Sequence, residues 1–250
     1  MQPSLYHSFH TLESTNILAK KMAEQGAEHG TVIHAEQQTG GRGRGGRAFV
    51  SPIGGLYFSL ILRINVELMA LPLTTLAAGV GLCKGIKKAT NLHVQLKWPN
   101  DLYFEGKKIA GILTESGPVR RGVVDFIVVG VGLNVMTKME AFSPELQAKV
   151  SSLAEVSGRA FSLTALLPTL IQELLAMVQK NSQENKGDLL AEWRHLDYLR
   201  GKLLDYVWQD NIIPATGVGL ADDGRYVIVD CSGVEHRITV GDLNPIKPVC

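Results

Sequence analysis

The residues best suited to chemistry form one short stretch, Gly40 to Arg47, which reads Gly-Gly-Arg-Gly-Arg-Gly-Gly-Arg. Its five glycines let the backbone adopt positive φ angles and bring N–H groups close to a ligand. Arg42, Arg44 and Arg47 carry a permanent charge and donate paired hydrogen bonds to phosphate or carboxylate groups. The stretch therefore predicts an anion-binding loop, and its high backbone entropy predicts that the loop is mobile until the anion orders it.

Three other interpretations of this stretch compete. The spacing Gly41-x-Gly43-x-x-Gly46 matches a dinucleotide-binding fingerprint, but the residues that follow, Ala48 to Pro52, do not begin the helix that such a fingerprint requires. An RNA-binding Gly-Arg box is usually repeated within basic disorder, whereas this one occurs once between two apolar runs. A plain linker needs no arginines. An anion-binding loop explains the composition best.

The composition is that of an ordinary globular protein. The 250 residues are 45% hydrophobic and 20% charged, enough for one large domain or a medium domain with a smaller one. The 25 Lys and Arg nearly balance the 24 Asp and Glu, so the whole protein has no field that would attract nucleic acid or an anionic membrane. Positive charge can therefore act only where it is clustered.

The three cysteines, Cys83, Cys231 and Cys250, stand far apart, with no Cys-x-x-Cys pair and no histidine at ligand spacing. This pattern predicts free thiols in a reducing compartment. The first 15 residues lack the basic and apolar regions of a signal peptide. The sequence also contains no apolar run of 18 residues, the length that would predict a membrane span. We therefore expect a cytoplasmic protein.

Apolar residues at helical or alternating spacing predict both strands and helices in the first 200 residues. The expected strands are Leu5–Phe9, Thr31–Glu36, Leu56–Leu62, His93–Trp98, Leu102–Phe104, Lys108–Thr114 and Val123–Val135. The expected helices are Ile17–Gln25, capped by oxygens of Ser14, Thr15 or Asn16, then Pro72–Ala89, about 163–180 and about 183–196. Leu56–Leu62 is apolar on both faces and is therefore predicted to be a central strand, with the next helix lying across the sheet. Pro168 should kink its helix or mark its true start, because an interior proline costs about 3 kcal/mol.

After about residue 200 the pattern changes to short alternating segments. They are Leu203–Val207, Ile212–Gly217, Tyr226–Asp230 and His236–Val240. Regularly spaced short strands are typical of a small β-barrel. We therefore predict two domains, residues 1–200 and 201–250.

Four separated segments place polar or cationic residues next to predicted strands. They are Ser14-Thr15-Asn16, the loop with Gln38 before it, Lys97-Trp98-Pro99-Asn100-Asp101 with Lys108-Ile109-Ala110-Gly111, and Gly130-Val131-Gly132-Leu133-Asn134. Each alone has a structural explanation: a helix cap, a turn, a solvated lysine or close backbone packing. Together, in this order and at these spacings, they closely resemble the biotin protein ligases, from about Glu13 to Val135 and more loosely beyond.

The resemblance implies an α+β catalytic domain with a mixed sheet, related to class II aminoacyl-tRNA synthetases, followed by a small SH3-like barrel. It implies that biotin and ATP, with Mg²⁺, first give biotinyl-5′-AMP and pyrophosphate. The biotinyl group then passes to a lysine on the biotin carboxyl carrier protein domain of a carboxylase. Fixed cations would offset the repulsion between carboxylate and α-phosphate, about 4 kcal/mol per charge pair at 4 Å with an effective dielectric constant of 20.

The resemblance also assigns roles to residues. Lys108, Arg44 and Asp101 are the expected catalytic residues, with Lys108 stabilising transition-state charge and Asp101 orienting or deprotonating the incoming lysine. The residues expected to contact biotin are Ser14, Thr15, Asn16, Gln38, Arg42, Gly43, Arg44, Lys108 and Gly111. Those expected around the nucleotide are Arg47, Asn100, Gly130, Gly132 and Asn134. No protein metal site is expected, since Mg²⁺ would be bound mainly through phosphates.

Two positions depart from the family's pattern. Phe49 stands where members often have a tryptophan, and Gly45 stands where a second arginine can occur. Some members also carry an N-terminal winged helix-turn-helix. Because only 13 residues precede Ser14, we expect neither that domain nor DNA binding, while a homodimer is compatible with the family.

Two alternative functions stay open at this point. A lipoate or octanoate ligase would share the fold and the acyl chemistry, but its substrate lacks the ureido ring that Ser14, Thr15, Asn16 and Gln38 are expected to bind. A biotin-sensing or RNA-binding module would use the loop without catalysis. Such a module would leave Lys108 and Asp101 without a task.

Overall fold

The computed structural model describes residues 5–64, 66–183, 186–208, 211–239 and 241–246. The predicted free thiol of Cys250 and the predicted strand end at Val240 lie outside these residues. The α+β class with a mixed sheet is confirmed. The chain forms a seven-stranded sheet, a five-stranded sheet near the C-terminus and a small three-stranded sheet.

The strands, in chain order, are β1 (Tyr6–Leu12), β2 (Val32–Gln38), β3 (Gly55–Leu62), β4 (Val66–Glu67), β5 (Gln95–Lys97), β6 (Asp101–Phe104), β7 (Lys107–Ser116), β8 (Val119–Arg120), β9 (Val123–Val124), β10 (Ile127–Asn134), β11 (Leu203–Trp208), β12 (Asn211–Leu220), β13 (Tyr226–Asp230), β14 (Glu235–Ile238) and β15 (Asp242–Pro245). The α-helices are α1 (Thr15–Glu24), α2 (Leu71–Thr90), α3 (Pro144–Gln147), α4 (Leu153–Ser157), α5 (Leu163–Gln183) and α6 (Lys186–His195). Short 3₁₀ turns occupy Arg44–Gly46, Leu68–Ala70 and Met139–Ala141.

The large sheet has the order β1-β2-β3-β10-β7-β6-β5, with β1 and β2 parallel and the other neighbours antiparallel. Helix α1 covers one face through Ala19 and Ala23, while α2 and α5 cover the other. All eight residues of β3 and of β10 are buried, because both faces of the sheet are covered. The predicted central position of β3 is therefore confirmed.

Helix α2 is apolar because it forms the core between the sheet and α5. With the turn before it, Leu68–Thr90 is the one helix among the described residues that is long and apolar enough to cross a membrane, and 67% of its most apolar window is buried inside the protein. Gly81 and Gly85 let the two helices approach closely. A Cβ added at Gly81 would lie 2.7 Å from the Cα of Leu174 in α5.

Two predictions of local structure are wrong in detail. Helix α1 begins at Thr15, and the Ser14 side chain makes no cap hydrogen bond. The run Val123–Val135 divides into β9 and β10, because β9 leaves to pair with β4 and β8. Helix α5 begins at Leu163, as predicted, so Pro168 lies inside it and the kink there stays a prediction. Buried leucines around Pro168 offset the one hydrogen bond that a proline removes.

The C-terminal sheet has the order β14-β13-β12-β11-β15, all antiparallel, and begins close to the predicted boundary. This confirms the small C-terminal β unit. Strand β15 was not predicted, because its sequence lacks a run of residues with high strand propensity. Tyr226 of β13 packs against Trp98 and Trp193 with ring centroids 6.1 and 6.3 Å apart. The hydrophobic core is thus continuous across residue 200, and the division into two domains stays an interpretation.

Gly81→Ala should destabilise the fold, because a methyl group has no room between α2 and α5. We expect the free energy of unfolding to fall by about 1–3 kcal/mol, the usual cost of overpacking a core. Urea denaturation followed by circular dichroism would measure this loss. Lys87→Ala, at an exposed position of the same helix, should change stability by no more than about 0.5 kcal/mol. Equal effects of the two substitutions would contradict the close-approach argument.

Candidate active site

A cavity of about 150 Å³ lies where the Gly40–Arg47 loop folds over the large sheet. Of the residues predicted for the site, those that line it are Ser14, Thr15, Asn16, Gln38, Arg42, Gly43, Arg44, Arg47, Asn100, Asp101, Lys108, Gly111, Gly130 and Gly132. The lining residues not predicted are Ala48, Phe49, Lys97, Trp98, Pro99, Ile112, Leu113, Val131, Asp242 and Leu243. The fold thus brings together residues that lie more than 200 positions apart in the chain.

One end of the cavity is lined by Thr15 and Asn16, which are buried, and by Gln38, which is half-buried. Together with the buried Ser59, which contacts Thr15 and Asn16, we call these residues the polar floor. The Thr15 N–H and hydroxyl both donate to Gln38 Oε1, at 2.8 and 3.2 Å. Ser59 Oγ, in the middle of β3, lies 2.7 Å from Thr15 Oγ1 and 2.6 Å from Asn16 Oδ1. These bonds fix the directions of the groups that face the cavity.

The polar floor is supported from both sides. Asn16 Nδ2 donates to Glu115 Oε2 at 2.8 Å, and Lys20 Nζ donates to the other carboxylate oxygen at 3.3 Å. On the other side Gln38 Nε2 donates to Ser51 Oγ at 2.9 Å. Sequence reasoning missed Ser51, Ser59 and Glu115 as supporting residues. The available signal was Ser59, the one serine within an otherwise mostly apolar strand.

Glycines open the middle of the cavity. The strand register places Asp101, Gly111 and Gly132 in one row across β6, β7 and β10. The Phe49 ring lies over the two glycines: a Cβ at Gly111 would come within 3.2 Å of it, and a Cβ at Gly132 would overlap it. A Cβ at Gly130 would overlap the Asn16 amide. Both Gly-x-Gly positions of β10 therefore make room for side chains from other elements.

Of the predicted catalytic residues, Asp101 is part of this row and the Lys108 side chain lies against Gly111. Lys108 Nζ is 2.7 Å from Asp101 Oδ1, and the two side chains are 27% and 18% exposed. The Asn100 Nδ2 donates to the Ile112 carbonyl at 2.7 Å, which leaves Asn100 Oδ1 to accept from Arg44 Nη1 at 3.3 Å. The geometry pairs the two candidate catalytic groups, and Asp101 orients Lys108.

The Gly40–Arg47 loop is folded in this structure. The N–H of Phe49 donates to the Gly41 carbonyl at 2.9 Å, and the N–H of Gly43 donates to the Arg47 carbonyl at 2.7 Å. Gly45 and Gly46 turn the chain with φ values of 63° and 76°, a region that favours glycine. The mobility of the loop without ligand stays a prediction.

The cavity carries an excess of positive charge. Among the described residues that line it there are five cations, Arg42, Arg44, Arg47, Lys97 and Lys108, and two carboxylates, Asp101 and Asp242. Burial lowers the pKa of Arg44 and of Lys97 from their ordinary values, and the nearby carboxylates oppose that shift. Desolvated cations in this arrangement favour an anionic ligand.

Asn134 is the predicted site residue that does not line the cavity. Its side chain is 4% exposed, and Nδ2 donates to the Ser151 carbonyl at 3.0 Å. Its nucleotide-binding role stays a prediction. The described residues also contain no group of three His, Cys, Asp or Glu that could hold a metal ion.

Comparison with known proteins identifies the family. Residues 8–134 match the model of the biotin/lipoate A/B protein ligase family, which is half of the chain. The bifunctional ligase/repressor BirA of Bacillus subtilis (strain 168) is 35% identical over 184 residues, which cover 73% of this chain and 54% of that protein. The biotin--[acetyl-CoA-carboxylase] ligase of Mycobacterium tuberculosis is 32% identical over 190 residues, with 72% and 66% coverage.

The chain spans about half the length of this Bacillus subtilis protein and of the BirA protein of Bacillus spizizenii, to which it is also similar. A solved structure, the biotin protein ligase from Aquifex aeolicus in complex with biotin and ATP, superposes with a TM-score of 0.81. That match has 26% sequence identity and covers 96% of this chain and 98% of the other. The resemblance inferred from the four motifs is confirmed, and the chain belongs to the biotin/lipoate A/B protein ligase family.

Proposed function

We propose that this protein is a biotin protein ligase, which activates biotin with ATP and transfers the biotinyl group to a lysine of a carrier protein. One observation carries the proposal: polar side chains of the floor, Thr15, Asn16 and Gln38, line the same small cavity as an excess of cations. The polar floor suits the ureido ring of biotin, which both donates and accepts hydrogen bonds. The cations suit the carboxylate of biotin and the phosphates of ATP.

In the first step an oxygen of the biotin carboxylate attacks the α-phosphorus of ATP. The bond from that phosphorus to the bridging oxygen of the β-phosphate breaks, and pyrophosphate leaves. Lys108 and Arg44 offset the repulsion between the two anions and stabilise the charge that develops on the phosphoryl oxygens. The contact between Lys108 and Asp101 holds the ammonium group in place before the substrates arrive.

In the second step the amine of a carrier lysine attacks the acyl carbon of biotinyl-5′-AMP. The bond from that carbon to the phosphate oxygen breaks, and AMP leaves. Asp101 lies in the cavity, where it would orient the amine or accept its proton. The loop and the Phe49 ring cover the cavity, which would protect the mixed anhydride from water.

Mg²⁺ accompanies ATP in the proposed reaction. Of the described residues that line the cavity, two are carboxylates, and both form ion pairs, Asp101 with Lys108 and Asp242 with Arg47. This donor set fits a metal held mainly by phosphate oxygens rather than by a protein cage.

The proposed partner is the carrier domain of a biotin-dependent carboxylase. A relative named biotin--[acetyl-CoA-carboxylase] ligase supports acetyl-CoA carboxylase as that enzyme. We also propose a cytoplasmic location, because Cys83 and Cys231 are free thiols. The absence of DNA binding and a homodimeric state stay proposals.

Mass spectrometry of the acyl-adenylate tests the function directly. The protein is mixed with Mg-ATP and equal concentrations of biotin, lipoate and octanoate. We expect biotinyl-5′-AMP alone, because lipoate and octanoate cannot satisfy the polar floor. Lipoyl- or octanoyl-AMP as the main product would favour the other branch of the family, and biotin binding without any adenylate would favour a biotin sensor.

Lys108→Ala should slow adenylate formation by about 10²–10³-fold, because the ammonium acts where charge develops. Biotin affinity, measured by calorimetry, should change by no more than about threefold, since the polar floor is intact. The neighbouring Lys107→Ala is the matched control, because its Nζ reaches only the Gln147 carbonyl among the described contacts, at 3.4 Å. Equal losses of affinity and rate would make Lys108 a ground-state ligand instead.

Ser59→Ala should weaken biotin binding by about tenfold, because Thr15 and Asn16 lose the hydroxyl that orients them. The rate of adenylate formation at saturating biotin should stay within about threefold of the unmodified protein, as Ser59 lies away from the reacting atoms. Ser8→Ala, on an exposed part of the same sheet, should leave biotin affinity unchanged. Unchanged affinity in Ser59→Ala would exclude the polar floor from biotin recognition.

A further inference from the structure

Asp242 is a carboxylate that lines the cavity and to which the proposed function assigns no part in either chemical step. It lies on β15, the last strand of the C-terminal sheet, 195 positions after Arg47 in the chain. The Arg47 guanidinium donates to both of its carboxylate oxygens, at 3.0 and 3.1 Å. Arg47 Nε donates to the Arg44 carbonyl at 3.2 Å. One arginine therefore connects the C-terminal sheet to the turn at the tip of the loop.

Strand β15 holds Asp242 firmly at the cavity. Leu243 is 1% exposed in the hydrophobic core, and strand alternation places Asp242 and Asn244 together on the opposite face. Asn244 Oδ1 accepts a hydrogen bond from Lys97 Nζ at 3.1 Å. The buried leucine thus fixes two polar side chains against the cationic wall of the cavity.

A carboxylate at this place opposes the proposed ligand. Asp242 and the phosphates of ATP would carry like charges within one small cavity, and both would accept paired hydrogen bonds from Arg47. Asp242 stands near Arg44, Lys97 and Arg47, so its charge offsets their mutual repulsion while no anion is bound. The same charge competes with the nucleotide once it arrives.

We propose that Asp242 is a positioning residue for nucleotide binding, which holds Arg47 and the Gly40–Arg47 loop over the cavity until phosphate oxygens replace its carboxylate. The identity of the anion rests on the proposed function, whereas the ion pair itself does not. Because Arg47 exchanges one anion for another, the C-terminal sheet sets how readily ATP enters and pyrophosphate leaves. Asp242 acts through Arg47 and contacts no reacting atom.

The first test is trypsin cleavage after Arg42, Arg44 and Arg47 in the protein without substrates. Asp242→Asn should be cleaved about three- to fivefold faster than the unmodified protein, the scale of an exposed ion pair. Saturating Mg-ATP should remove the difference, because phosphates then hold Arg47 in both proteins. Glu235→Gln is the matched control, since it removes one exposed carboxylate at the opposite edge of the same sheet. It should be cleaved at the unmodified rate.

The second test separates ATP from biotin. In Asp242→Asn the KM for ATP should fall about threefold or more, and inorganic pyrophosphate should inhibit more strongly, because a like charge has been removed. The KM for biotin should not change, and Glu235→Gln should change neither value. If Asp242 had a merely structural role, its substitution would weaken the binding of ATP and of biotin together.

A coupling measurement keeps the proposal falsifiable if one variant is poorly folded. In the Arg47→Gln background, Asp242→Asn should not further accelerate cleavage after Arg44, since the partner is already absent. Cleavage of Asp242→Asn at the unmodified rate, or a raised KM for ATP, would overturn the proposal. The protease result does not depend on activity, so a protein that makes no biotinyl-5′-AMP would overturn the proposed function and leave the ion pair open to test.

Discussion

The main constraint on this structure is the gathering of five cations in one cavity of about 150 Å³. Like charges gathered in one cavity repel one another, and burial also desolvates Arg44 and Lys97, so partners for these cations stabilise the site before any substrate arrives. Lys108 forms an ion pair with Asp101, Arg47 forms one with Asp242, and Arg44 donates a hydrogen bond to the Asn100 amide oxygen. These partners come from β6, the C-terminal sheet and the turn before β6, and the site therefore depends on all three.

The large sheet supplies the stiffness that this arrangement needs. Strands β3 and β10 are buried along their whole length, and their register carries Ser59, Gly130 and Gly132 to fixed positions under the loop. A hydroxyl group in a protein core is tolerated only when it is hydrogen-bonded. The buried Ser59 hydroxyl meets this condition through its contacts with Thr15 and Asn16. Because Gly132 and Gly130 have no side chain, the Phe49 ring and the Asn16 amide can pack directly against β10.

The C-terminal sheet is part of the site and of the core. The rings of Trp98 and Tyr226 pack together, and Trp98 Nε1 donates to the Gly224 carbonyl at 3.3 Å. This places the turn that carries Asn100 and Asp101 against the C-terminal unit, while β15 reaches the cavity itself. The C-terminal sheet thus contributes Asp242 and Leu243 to the cavity, although none of its residues is a predicted catalytic residue.

Local periodicity and residue types at short spacing were enough to predict the central strand β3 and the glycine-arginine loop. The resemblance of the four motifs to the biotin protein ligases added the mixed sheet and fourteen of the residues that line the cavity. Neither source predicted that Ser59, Glu115 and Asp242 support or line the site, or that Asn134 does not line it. Only the tertiary structure decided these points, and it also decided that Ser14 does not cap α1 and that Gly111 and Gly132 form one row. The physical reason is that strand register, and contacts between residues up to 195 positions apart, arise from packing that no local pattern encodes.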